Sequence, residues 1–256
     1  MNGPGSLFSS PSRLLTQTRY TIGDYLLQRA SIPVALLGLI TWALIHSTLK
    51  IAGPKQWSNP KFIADLHSTY GSLSALLLYF SVFLAVIAIM TVDRTTGYYR
   101  FYFSKPVNVV QYYLHTFVIH GAVLCALLAV FALIWSAWMP HESMHRAALV
   151  GVFAFALIGG LGFGFGALTN MDAAVTPLAF IFAISAQNTL IGYSGPPQWL
   201  VITAKILPPG LRLEKLRGEL GAAQPITSGD MWHVLAYGAG GWILGLIFLR
   251  WRPLAR

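Results

Sequence analysis

His141-Glu142-Ser143-Met144-His145 is the one stretch of this 256-residue sequence that could support a reaction unaided. On a helix, H-E-x-x-H puts two imidazoles on one face, where they can hold zinc while the glutamate acts as general base. Pro140 could open such a helix. A hydrolytic zinc site also needs a third protein ligand and one open position. Glu214, Glu219 and His233 stand at no recognised spacing, and with six spans Asp172 falls on the other side of the membrane. A pattern with two free positions also arises by chance, so His141, Glu142 and His145 on a short loop are read first as water-exposed. A zinc-dependent membrane hydrolase is the competing expectation, and apart from it the chain offers no catalytic residue and no metal site.

The remaining polar groups inside apolar sequence are few. Gln187, Asn188 and Thr189 interrupt a hydrophobic run and are candidates to line a pathway. His46, His120 and His233 are each isolated, which favours interfacial or hydrogen-bonded roles over ligation. Intramembrane carboxylates or cations mark proton relays and ion sites, and no carboxylate stands within the apolar runs to couple protons or sodium. No phosphate-cradling G-x-x-x-x-G-K-[ST] pattern occurs either. Any uphill movement of a substrate must therefore draw its energy from another polypeptide.

The elements that carry these residues follow from composition. Hydrophobic residues make up 55% of the chain and charged residues only 10%, against about 25% charged in an ordinary soluble domain. A helix needs about 20 apolar residues to cross the hydrocarbon layer. Six segments meet or approach that: Ile32–Leu49, Leu73–Val92, Thr116–Trp138, Ala147–Leu168, Val175–Tyr193 and Met231–Trp251. The expected fold is an all-α polytopic membrane protein of about six spans. The formal charge of +9 is scattered, with no nucleic-acid patch, and suits anionic lipid head groups. Cys125 is the single cysteine, which excludes a disulfide framework within one chain.

Residues 1–19 read as a disordered N-terminus and residues 20–256 as a single transmembrane domain. No short apolar core with a small-residue cleavage site opens the chain, so no cleaved signal peptide is expected. Tyr20–Ala30 mixes Ile22, Tyr25, Leu26 and Leu27 with Asp24, Gln28 and Arg29, the pattern of an interfacial helix or of an extension of the first span. Asn170–Ala174 is so short that spans four and five must form a tight hairpin. Between spans five and six, Trp199–Leu207 and Leu211–Leu220 read as two short helices, partly re-entrant or lying on the outer interface, broken apart by Pro208, Pro209 and Gly210. Leu213, Leu216 and Leu220 recur there at helical spacing. Gly160/Gly164 and Gly162/Gly166 in span four, with Gly241 and Gly245 in the last span, are small-xxx-small pairs that let helices approach closely. Packing within one protomer is the first reading of these glycines; a scaffold using them as an assembly face is another. Lys and Arg split nine to eight between the two sides, a bias that leans only slightly toward cytoplasmic termini.

Between spans two and three, Asp93–Tyr113 combines Asp93, Arg94 and Gly97 with a dense cluster of Tyr98, Tyr99, Arg100, Phe101, Tyr102 and Phe103. Lys105 and Pro106 follow. Aromatics and arginine are enriched at interface hot spots, and the residue before a proline tends to leave the helix. The bland alternative is an aromatic belt at the membrane surface. In layout, this loop resembles the first cytoplasmic loop of type-2 ABC exporter permeases. That loop runs from an acidic residue through a glycine and a short apolar-basic helix to a proline, then a tyrosine-containing lead matched by Tyr112 and Tyr113. Leu207-Pro208-Pro209, the two short helices and the closing Arg250-Trp251-Arg252 are similar to the same family's last third. The resemblance implies that Thr96–Lys105 is a coupling helix docking into an ATP-binding subunit, which carries the ATP and magnesium. It further implies a pair of permeases, a cell (inner) membrane location with both termini cytoplasmic, an outer position for the two short helices, and no ATPase site in this chain.

Overall fold

The computed structural model of the chain describes residues 11–24, 109–136, 144–169, 172–192, 194–221 and 225–251, with scattered positions between 35 and 84. Helices run through all the continuous stretches: α1 (Pro11–Asp24), α2 (Val109–Ser136), α3 (Met144–Leu168), α4 (Asp172–Gly192), α5 (Gln198–Ile206), α6 (Gly210–Gly221) and α7 (Ser228–Trp251). No strand occurs among the described residues. Among the described residues, four helices are long and apolar enough to cross a membrane: Val110–Val130, Leu149–Leu168, Ala174–Gly192 and Ser228–Leu249. They correspond to the third through sixth expected spans. The first two expected spans lie outside the described residues, apart from isolated helical positions such as Trp42, His46 and Tyr79.

Helix α1 starts at Pro11, upstream of the interfacial segment expected from Tyr20, and takes in residues that composition assigned to a disordered tail. Proline is well placed in a first helical turn, where its missing N–H costs no hydrogen bond. The helix packs on α2, and Thr18 Oγ1 lies 3.3 Å from His115 Nε2.

The architecture is centred on α3. Of its span 72% is buried, against 33%, 22% and 28% for the spans of α2, α4 and α7, and α3 touches α2, α4, α6 and α7. Lipid tails are as apolar as leucine, so association inside a bilayer gains little from hydrophobic transfer and rests on close packing. Glycine supplies that closeness. A Cβ on Gly160 would fall onto the Gly238 carbonyl, and one on Gly238 onto the Ala156 carbonyl. A Cβ on Gly164 would sit 2.8 Å from the Gly241 carbonyl oxygen. The backbones of α3 and α7 are thus in direct contact along more than one turn.

Where the backbones diverge, aromatics fill the space. Phe163 stacks on Trp242 with ring centroids 4.7 Å apart, in room left by Gly245, whose Cβ would meet the Phe163 ring at 2.5 Å. Tyr113 meets Phe163 edge-on at 5.4 Å. Phe117 joins Trp242 at 5.8 Å and Phe155 at 4.5 Å, tying α2 to both partners.

This packing orders the glycines by consequence. Gly160→Ala is expected to destabilise the protein by about 1–3 kcal/mol through overpacking. Gly240→Ala, where a Cβ meets nothing within 4 Å, should be neutral or stabilising by up to about 1 kcal/mol from helix propensity. Thermal unfolding in detergent, compared between the two variants, measures the difference.

Candidate functional site

Helices α5 and α6 form a hairpin whose break, Leu207–Gly210, is held by side chains from two membrane spans. Such a break leaves backbone carbonyls and amides without helical partners, and hydrocarbon offers none. Gln187 of α4 meets most of this need. Its Nε2 donates to the Ala204 carbonyl at 3.3 Å and to the Pro208 carbonyl at 3.0 Å. Its Oε1 accepts from the Leu211 amide at 3.2 Å. From α7, the Tyr237 hydroxyl donates to the Ile206 carbonyl. Gly210 is pressed against α4 so closely that a Cβ there would meet Ile184 Cγ1 at 2.5 Å. Pro208, Pro209 and Gly210 are all buried.

These bonds set the depth of the break. Gln187 precedes the end of α4 by about 7–8 Å, and Tyr237 follows the start of α7 by about 13–14 Å, at 1.5 Å per residue. The break is therefore held alongside α4 and α7 within their helical lengths, where side chains of both helices meet its backbone.

The two arms differ. Helix α6 is anchored: Leu213, Leu216 and Leu220 are 0%, 0% and 5% exposed, the burial that their spacing predicts. Its polar face closes on the first turn of α7, where Asp230 takes Arg212 at 3.2 Å and Lys215 at 2.7 Å. Asp230 also lies at a helix N-terminus, where a carboxylate is favoured. Glu219 accepts from the amide of Thr227 at 2.8 Å and from its hydroxyl. Arg217 pairs with Glu214 at 2.9 Å, and the buried Tyr79 hydroxyl lies beside that pair. Helix α5, by contrast, buries no residue.

Gln187 is engaged with backbone, whereas Asn188 and Thr189 are exposed, and the Thr189 hydroxyl donates back to the Ser185 carbonyl at 2.8 Å. The structure thus separates three neighbouring residues read together as pathway candidates. Gly160, Gly162, Gly164 and Gly166 are all buried in α3, with Gly160 and Gly164 against α7 of the same chain. Asp93, Arg94, Gly97, Tyr98, Tyr99, Arg100, Phe101, Tyr102, Lys105 and Pro106 lie outside the described residues, as do His141 and Glu142; His145 falls in the first turn of α3. No group of three metal-ligating side chains occurs among the described residues. His120 Nδ1 donates to the Thr116 carbonyl at 2.7 Å, and the His46 ring stacks on Trp42 at 5.2 Å.

Tyr237, Asp230 and Gly238 carry structural weight and were missed in the sequence. A count of stranded backbone groups at Pro208-Pro209-Gly210 could have found Tyr237 and re-read Gln187, since a break in apolar sequence needs polar side chains nearby.

Two outcomes follow. Gln187→Leu removes three hydrogen bonds at a buried break and should cost about 2–3 kcal/mol, with faster amide exchange at Leu211 as the local readout. The junction of α6 and α7 should also depend on pH. The hydroxyl and amide of Thr227 hold the Glu219 carboxyl below its ordinary value. Hydrogen bonding to Asp230 holds the Lys215 ammonium above its own. Glu219's contribution is complete above the ordinary carboxylate range and fades as pH falls through its lowered value. That of Lys215 is complete below the ordinary lysine value and fades as pH rises through its raised one. Amide exchange at Thr227, corrected for its intrinsic rate, should be slowest between these limits.

No family model, curated protein or solved structure matches this chain.

Proposed function

We propose that this chain is the membrane-spanning subunit of an ATP-driven exporter, of the type-2 ABC permease kind, coupled to a separate ATP-binding subunit. The observation that carries the reading is electrostatic. Across the four described spans the only carboxylate is Asp230, which sits in the first turn of α7 and already faces Arg212 and Lys215. A span region whose carboxylate is neutralised at its rim is poorly equipped to bind and release protons or sodium. Energy must then arrive from outside the chain, and Asp93–Tyr113 is the segment whose residues suit a docking partner.

In this reading the full chain has six spans with both termini on the cytoplasmic side of the cell membrane. Thr96–Lys105 is the coupling helix, and two permeases work with two ATPases. The paired seam of α3 and α7 supports it by giving each permease a stiff centre through which movement of one rim can reach the other. The α5–α6 hairpin, anchored through α6 and lightly held through α5, supports it as the part best placed to move at the exit.

The purified chain is expected to show no ATPase activity alone and to copurify with a soluble ATPase whose turnover it raises. Tyr99→Glu and Gly97→Asp should abolish that stimulation while leaving thermal unfolding of the chain unchanged. Normal stimulation in both variants would remove the assigned role from this loop.

A further inference from the structure

We infer that the exposed face of α5 is a seat for an acidic phospholipid, whose phosphate is held by Lys205. At 100° per residue, the exposed residues of α5 (Gln198, Trp199, Ile202, Lys205 and Ile206) fall within one arc of roughly a third of the helix. Trp199, Ile202 and Ile206 form an apolar stripe, 66%, 57% and 67% exposed, and Lys205 stands at its margin. The helix packs on α4.

The position of Lys205 makes it unusual. Its neighbours Ala204 and Ile206 are the residues whose carbonyls Gln187 and Tyr237 hold, so with the hairpin in the bilayer it stands at the end of α5 tied to two spans. A cation there is unfavourable unless it finds an anion or reaches back to the head groups on its flexible stem. Of the four cations in the hairpin, Arg212, Lys215 and Arg217 each face a carboxylate. Lys205 has no ion-pair partner among the described residues. The carboxylates of the hairpin and of the first turn of α7 (Glu214, Glu219 and Asp230) are already engaged.

The occupant must therefore present hydrocarbon to Trp199, Ile202 and Ile206 and an anionic oxygen to an ammonium beside them. A phospholipid at the boundary of acyl chain and head group offers both. An acidic one fits better than a zwitterionic one, whose own cation competes for the phosphate. A second copy of this face would bring another Lys205 rather than a counter-charge. The inference needs only that the hairpin lies in the bilayer, and it stands apart from the transport reading.

The test uses the full chain in phosphatidylcholine nanodiscs, with Cys125→Ala and a bimane label on Ile202→Cys, one turn from Lys205. Brominated phosphatidylglycerol, as a minor component, is expected to quench the label about two- to fivefold more than brominated phosphatidylcholine at the same fraction. Lys205→Gln should bring the ratio to one, Lys205→Arg should retain it, and Lys215→Gln should leave it unchanged. Equal quenching by both lipids in the parent protein would overturn the proposal. So would a preference that survives Lys205→Gln, which would reflect only general attraction to a basic chain. Because lipid contact is read directly, neither result depends on whether an ATPase partner is found.

Discussion

Direct backbone contact between α3 and α7 is the constraint on which the remaining packing rests. Two helices in a bilayer have no water to escape from, and their attraction falls off steeply with separation. Gly160 and Gly164 on one side and Gly238 and Gly241 on the other remove the side chains that would hold the axes apart. Once the axes are that close, Phe163 and Trp242 overlap face to face. The same geometry brings Tyr113 of α2 edge-on against Phe163 and Phe117 edge-on against Trp242. A wider seam would leave those rings without partners. The α6 helix, which packs on both α3 and α7, would also lose the surface that buries Leu213 and Leu216.

The hairpin answers a different constraint. Its sequence contains a break, because the two consecutive prolines Pro208 and Pro209 cannot donate to a helical ladder. In water the stranded carbonyls would be solvated; beside α4 and α7 they are met by Gln187 and Tyr237. This makes the polar residues of two spans part of the support of a third element, and it separates the hairpin into a fixed arm and a lightly held one. The ion pairs of Asp230 with Arg212 and Lys215 belong to the fixed arm. Both basic side chains are about half exposed, so these contacts contribute more to where α6 sits than to overall stability. The seam and the fixed arm share one buried core, whereas α5 rests on α4 without burying a residue.

Much of this was legible in the residue pattern. Long apolar runs dictated the four described spans because the hydrocarbon layer demands about that length whatever the partners. The spacing of Leu213, Leu216 and Leu220 predicted the buried face of α6, and Pro208-Pro209-Gly210 marked its start. Span four was recognisable as a packing helix by its glycines. Boundaries were less legible: α2 begins at Val109 rather than Thr116, since the aromatic and polar residues ahead of Thr116 lower its apolar signal without breaking a helix.

Length, helical character, membrane residence and the positions of breaks are local properties, each written in a window of a few to about twenty residues, and for those the sequence alone sufficed. Partnership is not local. Gly160 could have faced another protomer, lipid or any other span, and only the tertiary structure decided that it faces Gly238. Gln187 could have lined a pathway, and only the fold brought it within reach of Ala204, Pro208 and Leu211. The reason is physical: a small residue or an amide states what it can accept, whereas the neighbour it receives is set by how all the helices pack at once.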